Sequence, residues 1–493
     1  MKKIVVLIII TLVFLAYAGS PMPGYAMTND QTSAIQELLD EACGKSGVPG
    51  MSLAILAGDE VRYFSSGYAD RENGIPADEN TLYELASVSK AFTGLAMLLL
   101  EEQGRLSMSD SVQEYLPWFT LRYQKKPVDM QSLTLDSFLH HSSGLVNSRH
   151  SLLIPQGDTP DMLQKTVEAL VNSELAFAPG ERYEYGTVNY DVLGLVIEAV
   201  SGQSYEDFMK EQIFIPLGLH RTYLYKEEAQ ATGQFAQGYR TTFFRTIPYD
   251  APDFAGNKPA GYVISCTDDM ARWIGIQMGI ISDIPEIFYT IIERSHQGNT
   301  SVPAVDGMYY AAGWEVSADR TIVEHAGGNP NFATKVMMLP DERTAFCLLT
   351  NGEHTNIDLV INVKEILEGS HVQSYTINGT QLLDIIMSSA TICCLALAAV
   401  LFSFGFHRRR MTANRLPAAK RIRLTAALLT LFVAVGLVCW LFPGFFGGSW
   451  PAFFVWITYS VFTAFIAFAV LAASIIWYKH MPAPISHRSE FTT

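Results

Sequence analysis

Ser87-Val88-Ser89-Lys90 sets a hydroxyl and an amine three residues apart, the spacing at which two side chains share one face of a helix. If Ser87 opens that helix, the Lys90 amine reaches the serine oxygen, and a serine whose proton has an acceptor is a nucleophile for acyl transfer. The positive end of the helix would favour an oxyanion at the same place. Four residues alone carry little, since about one or two S-x-x-K matches arise by chance in a chain this long. An N-cap serine followed by a solvated lysine is the plainer reading of the motif by itself. This S-x-x-K is nevertheless the sole one in the 493 residues. Metal chemistry has no comparable footing: the chain has no C-x-x-C pair and no H-E-x-x-H. His140 and His141, with His150, do not readily converge on one ion, because adjacent histidines do not match the geometry zinc needs. Neither a metal nor an organic cofactor is expected.

The elements that must position this pair follow from periodicity and turn chemistry. SVSKAFTGLAMLLLEEQGRL reads as a helix with apolar Val88, Phe92, Leu95, Ala96 and Leu99, ending at Gly104. Before it, PGMSLAILAGDEVRYFSSGYAD reads as a hairpin turning at Ala57-Gly58-Asp59. A loop-rich, mostly helical middle follows. Then MYYAAGWEV, TIVEHAGG, ATKVMML and TAFCLLTN read as strands, and NIDLVINVKEILEG as a closing helix. The order predicts an α+β domain in which one antiparallel sheet, of five or so strands, is closed by both ends of the body.

The surroundings of the motif remove the plain reading. Residues Val48 to Phe119 closely resemble the N-terminal part of the serine β-lactamase and penicillin-binding-protein superfamily, in its class C and esterase or D-amino-acid peptidase branch. LTLDSFLHHSSGL (133–145), PGERYEYGTVNYDVLG (179–194), PAGYVISCTDDMARW (259–273) and HAGGNPNFATKVMMLPDERTAFCLLTN (325–351) resemble later family segments in the same order, so the likeness covers about Gly47 to Glu368. The resemblance implies a β-lactamase/transpeptidase-like fold, an antiparallel sheet flanked by helices with a mostly helical subdomain. It also implies that Ser87 is the nucleophile, that Lys90 and Tyr185 share base duty, and that His325-Ala326-Gly327 stands where the family has its Lys-Thr-Gly strand. The backbone N–H groups of Ser87 and Gly328 would form the oxyanion hole.

Two departures bear on substrate. The family's Tyr-x-Asn is here Tyr185-Gly186-Thr187, and Asn189 comes two positions late. Thr187 makes one hydrogen bond but cannot copy an amide's paired donor and acceptor. His325 replaces a lysine, so a substrate carboxylate would be attracted only below about pH 6.5, where an unperturbed histidine is charged. Peptide or ester hydrolysis is therefore expected ahead of efficient β-lactam hydrolysis. His141 reads as structural, holding the turn beside the site.

Composition places this chemistry at a membrane. The chain is 49% hydrophobic and 17% charged, which excludes a mainly disordered protein. From Gly379 onward nine Lys or Arg face two acids, while the preceding body is strongly acidic. An acidic body gives no footprint for nucleic acid. MKKIVVLIIITLVFLAYAGS has the three-part layout of an export signal, with an uncleaved anchor as the alternative. Ile385 to Phe406, Leu424 to Phe442 and Phe453 to Tyr478 contain no Asp, Glu, Lys or Arg, and each is long enough to cross a bilayer. HRRRMTANRLPAAKRIR, between the first two, holds seven cations and no acid, which puts it in the cytoplasm and the body outside. The expected organisation is a signal over 1–26, a hydrolase domain over 27–368, a linker over 369–384, three spans over 385–478 and a cytoplasmic tail over 479–493. Three scattered body cysteines, Cys43, Cys266 and Cys347, do not make a disulfide framework.

The expected function is a membrane-anchored, extracytoplasmic serine hydrolase acting on a small peptide, ester or β-lactam through an acyl-enzyme. The alternative is a protein that binds β-lactams or cell-wall fragments and is acylated without turnover. A cytoplasmic loop of 17 residues and a tail of 15 are too small for an output domain, so signalling would need a membrane-protein partner bound through the spans.

Overall fold

The computed structural model describes residues 27–353, 358–370, 379–411, 416–445 and 450–481. The export signal expected over 1–26, half of the linker and most of the cytoplasmic tail lie outside the described residues.

Helix α1 (Asn29–Ser46) opens on a Thr28/Gln31 capping box and stops at Gly47, which takes the left-handed conformation. Strands β1 (Gly50–Ala57) and β2 (Glu60–Asp70) form the expected hairpin, pairing Ala57 with Glu60 across the turn. A two-residue β3 (Ile75–Pro76) adds to the edge of β2. In the helical part, α2 (Ser89–Glu102), α3 (Val188–Ser201) and α4 (Thr267–Gln277) are the longest elements. A hairpin inside this region, β4 (Tyr239–Thr242) and β5 (Arg245–Pro248), stands apart from the main sheet. The chain then forms β6 (Met308–Tyr310), β7 (Glu315–Ser317), β8 (Val323–Gly328), β9 (Ala333–Leu339) and β10 (Thr344–Thr350), followed by α5 (Leu359–Leu367).

Among the described residues the main sheet has eight strands in the order β6-β7-β8-β9-β10-β1-β2-β3, all antiparallel. The first and last parts of the body thus meet at β1 and β10, where Met51 pairs with Thr350. The expected five or so strands become eight because of short edge pieces. MYYAAGWEV is one such case: it reverses at Ala311–Gly313, where Gly313 has φ +85° and Ala311 N–H donates to the Trp314 carbonyl at 2.7 Å, and so supplies two strands.

The two-residue period of the strands sorts the core. Met51, Leu53 and Ile55 of β1, with Phe346 and Leu348 of β10, pack against Ile35 and Leu39 of α1 and Val360 and Val363 of α5. Ala54 and Leu56, with Ala345 and Leu349, face the other way onto the larger core of Phe92, Leu95 and Trp273. That second core fixes α2 against the sheet: Phe92 stacks on Trp273 with ring centroids 4.3 Å apart.

Beyond the body are α6 (Gly379–Met411), α7 (Ala418–Phe445), the short α8 (Trp450–Trp456) and α9 (Tyr459–His480). Three of them, α6, α7 and α9, are long and apolar enough to cross a membrane. Their outward surfaces are apolar, with Phe432 and Trp440 each 76% exposed, as lipid-facing helices require. Helix α6 starts inside the expected linker and continues through Arg410. The expected third run, Phe453 to Tyr478, is broken: Thr458 takes an extended conformation (φ −54°, ψ 140°) between α8 and α9. Helices α6 and α9 run parallel, with Thr391 Oγ1 3.5 Å from Thr463 Oγ1 and Phe402 stacked on Trp477.

Candidate active site

Ser87 lies on a 3-10 turn (Ala86–Val88) immediately before α2, one step earlier than an N-cap serine would. Ala86, the residue before it, has φ +46°, a left-handed conformation that side chains other than glycine rarely adopt. Strain of this kind persists where surrounding structure imposes it, and it concentrates at sites that do chemistry. Lys90 sits in the first turn of α2 and is fully buried. Its Nζ donates to the Ala260 carbonyl at 2.6 Å, to Thr187 Oγ1 at 3.1 Å and to Ser87 Oγ at 3.2 Å. The S-x-x-K spacing therefore does bring amine and hydroxyl together, and it also brings in two fixed acceptors from distant segments.

Burial disfavours the ammonium and pushes Lys90 well below the usual lysine range, with Asp191 acting in the opposite direction. Asp191, on α3, is itself fully buried, and burial pushes its carboxyl up while Asn257 Nδ2 holds both oxygens at 2.8 Å. An uncharged lysine has two N–H donors and one lone pair. With the donors directed to the Ala260 carbonyl and the Thr187 hydroxyl, the lone pair is left for Ser87.

Tyr185 precedes α3, and its ring lies 5.1 Å from Lys90 Nζ and 4.4 Å from the His141 ring. Its hydroxyl is buried and makes no hydrogen bond among the described residues. Burial pushes it far above the ordinary phenol range, with the nearby Ser87 hydroxyl a partial offset, so the phenol stays protonated through neutral pH. Thr187 takes the position of the family asparagine and spends its hydroxyl on Lys90. Asn189 does not replace that asparagine. It is buried, accepts from Ser143 Oγ at 2.6 Å, and donates to the Gly186 carbonyl and to His141 Nδ1. His141, at φ +53°, is likewise tied into this turn, in keeping with the structural reading.

The third segment supplies β8, whose end lies against the Ser87 turn. A Cβ at Gly327 would come 2.5 Å from the Leu85 carbonyl oxygen and 3.0 Å from Ser87 N, so only glycine permits this approach. Gly328 is exposed and lines a cleft of about 320 Å³ together with Ser87, Tyr185 and Thr187. Ala326 and His325 precede it on β8 and do not line that cleft. His325 is buried. Its Nδ1–H donates to the Ala326 carbonyl at 2.6 Å, and its Nε2 accepts from the Tyr310 hydroxyl at 3.0 Å. Burial, with the Lys90 charge second, pushes it down to about 3, so the ring is neutral near pH 7. A titrating histidine that meets a substrate carboxylate, as the sequence led us to expect, does not fit this environment.

Three participants escaped the sequence reading. Asp191 lies four residues beyond Thr187 within the tyrosine segment, where its place in a buried helix start was the available signal. Asn329 Nδ2 donates to Glu84 Oε2 at 2.6 Å and to the Gly261 carbonyl at 3.0 Å, fixing the end of β8. Trp456, from α8, lines the same cleft.

Comparison with known proteins shows which family the chain resembles. Protein flp of Staphylococcus aureus is 27% identical over 463 residues, covering 89% of this chain and 88% of its own length. That share exceeds what the body alone can supply, so the match runs into the C-terminal helices. Penicillin-binding protein 4* of Bacillus subtilis is 30% identical over 348 residues, covering 66% of this chain and 73% of its own. The octameric penicillin-binding protein homologue of Pyrococcus abyssi superposes with a TM-score of 0.58 at 25% identity, covering 72% of this chain and 81% of that one. The Beta-lactamase family profile matches residues 33–369, and on that match across nearly all of the body the chain belongs to the Beta-lactamase family, whose relatives are serine hydrolases and penicillin-binding proteins.

Proposed function

We propose that the chain is a membrane-anchored serine hydrolase that cleaves peptide or ester bonds through an acyl-enzyme on Ser87. The observation that carries this reading is the buried Lys90 amine, held by two acceptors with its remaining position on Ser87 Oγ. Uncharged Lys90 takes the Ser87 proton as Oγ bonds to the substrate carbonyl carbon. The carbonyl oxygen gains the negative charge, and the backbone N–H groups of Ser87 and Gly328 receive it. When the bond to the leaving alcohol or amine breaks, Tyr185, protonated through neutral pH and facing the cleft, hands over a proton and recovers one from Lys90. Water then attacks the ester with Lys90 again as base, releasing the acid and restoring Ser87.

Peptide and ester substrates rank ahead of β-lactams as turned-over substrates because Thr187, engaged with Lys90, offers no amide to a substrate amide. Acylation by a penicillin is still expected, as the name of the Bacillus subtilis relative states for that protein. The body lies outside the membrane in this reading. Asp384 and Thr458, at the starts of two parallel apolar helices, meet the body, whereas Arg408 to Arg410 and Lys479 gather at their far ends, the cytoplasmic signature.

The test is labelling of the full-length protein with a fluorescent penicillin and an activated ester, followed by mass analysis of the Ser87 peptide. Labelling that survives Ser87→Ala rejects the assignment. Repeated product release supports the enzyme, and a single stoichiometric burst supports acylation without turnover.

A further inference from the structure

One wall of the Ser87 cleft does not come from the catalytic body. Trp456, the last residue of α8, lines it. Two polar anchors hold α8 and the helix starts against the body. Arg240, fully buried on β4, donates from Nη1 to the Phe454 carbonyl at 2.9 Å, lies 3.5 Å from the Glu353 carboxylate and sits 5.0 Å from the Tyr459 ring. At the tip of the β4–β5 hairpin, the backbone N–H groups of Phe243 and Phe244 donate to the two oxygens of Asp384 at 2.9 and 2.8 Å. Thr458 Oγ1 completes the joint with a 3.0 Å bond to the Thr241 carbonyl. Asp384 is fully buried, and besides the hairpin N–H groups it accepts from Ser388 Oγ and Thr458 Oγ1, both at 3.3 Å, so it ties the starts of α6 and α9 to the body. The cleft is thereby fixed at the outer ends of the apolar helices.

The same short helix also faces the opposite way. Trp450 and Phe454 form the rim of an apolar groove of about 980 Å³ between α7 and α9, floored by the small side chains Ala469 and Ala473. Trp456 in the cleft and Phe454 in the groove are two residues apart, so α8 joins a space for hydrocarbon to a space for acyl transfer. Tryptophan and tyrosine at this level match the aromatic belt of a membrane interface, where an amphiphile changes from tail to head.

Resting on the serine-hydrolase reading, we propose that the substrate is a membrane-embedded amphiphile, an ester or amide bearing a long hydrocarbon chain. The chain lies in the α7–α9 groove, and the carbonyl passes Trp456 to reach Ser87. A freely soluble substrate has no use for the groove. An amphiphile in the outer leaflet enters sideways, keeps its chain in apolar surroundings throughout, and presents its head at the depth to which the polar joint fixes the cleft.

The experiment uses the full-length protein in phospholipid nanodiscs and two 4-nitrophenyl esters, butyrate and palmitate. The quantity read is the ratio of their kcat/KM values, so changes common to both substrates cancel. In the native protein the ratio of palmitate to butyrate is expected to be about tenfold or more. It should fall to about threefold or less in Ala469→Trp, which fills the groove, and in Trp456→Ala, which removes the aromatic wall that guides the head from groove to cleft. A native ratio near one, or a preference that survives either substitution, overturns the inference, the latter because ordinary partitioning of the long ester into the bilayer then explains it. Fluorescent-penicillin labelling of Ser87 is followed in the same samples. Its absence from the native protein rejects the serine-hydrolase reading itself, and its presence with a flat ratio rejects only the amphiphile.

Discussion

A single methyl group at position 327 probes how closely β8 must approach the nucleophile. In Gly327→Ala the new Cβ would stand 2.5 Å from the Leu85 carbonyl oxygen and 2.9 Å from Ala86 Cβ. Ordinary contact needs about 3.4 Å, so either β8 or the Ser87 turn must move by about 0.9 Å. The turn cannot yield easily, because Ala86 already holds a left-handed conformation. The displacement therefore falls between Ser87 N and Gly328 N, the two groups proposed to receive the oxyanion. Misplacement of about 1 Å in a catalytic constellation costs on the order of a hundredfold, equivalent to about 2.7 kcal/mol of barrier. The cost in stability is smaller relative to the whole fold, about 1–3 kcal/mol for an overpacked site. The assay is kcat/KM on a short activated ester, read beside the thermal midpoint. The expected result is a fall of about a hundredfold, carried mostly by kcat, in a protein that still melts cooperatively. Turnover within about threefold of native, in a folded variant, would show that this strand edge does not shape the transition state.

In the proposed mechanism Lys90 acts uncharged and burial lowers its pKa, so kcat/KM for a neutral ester should rise about tenfold per pH unit on the acid side and level off well below the ordinary lysine range. A rise that continues past pH 9 would mean an ordinary lysine. Asp191→Asn removes a partner that favours the ammonium only where it is ionised, so the acid limb should stay or move to lower pH; movement upward would contradict the electrostatic assignment. Since burial keeps His325 neutral, the ratio of kcat/KM for a carboxylate-bearing ester to that for its neutral counterpart should stay flat from about pH 5.5 to 8.5, and a ratio that falls with pH would return His325 to a charged role. Tags placed after Ser370 should be reached by a reagent outside intact cells and tags within Arg408 to Arg423 should not; external access to the latter refutes the orientation.

The parts of the site that a sequence can carry are those set by local spacing. Ser87 and Lys90 meet because they lie three positions apart, and Tyr185 and Thr187 arrive together because both immediately precede one helix. The hairpin that closes the sheet was visible in alternation and in Gly58 at its turn, where φ is +61°. Contacts between remote segments had no such signal: Asn329 with Glu84 spans 245 residues, and Asn257 reaches Asp191 across 66. The β4–β5 hairpin was hidden for a different reason. Its tip, Phe243-Phe244, takes left-handed conformations normally signalled by Asn-Gly, and two phenylalanines give no such cue. Two exposed aromatic residues accept that turn because their N–H groups are held by Asp384. The break at Thr458 was equally silent, since an uncharged run reads as one helix until a partner claims its hydroxyl.

The joint between the hairpin and Asp384 bears on how this protein is best produced and how cells would process it. A soluble fragment cut after the body, whether by a cloning boundary near Ser370 or by a protease acting there, leaves Arg240 without the Phe454 carbonyl and opens the cleft on the side that Trp456 closes. Such a fragment would keep Ser87, Lys90 and Tyr185 together, so on the proposed reading it would still be acylated. Its selectivity would be that of a cleft missing one wall. Shedding, in this architecture, would change what the enzyme accepts as well as where it goes.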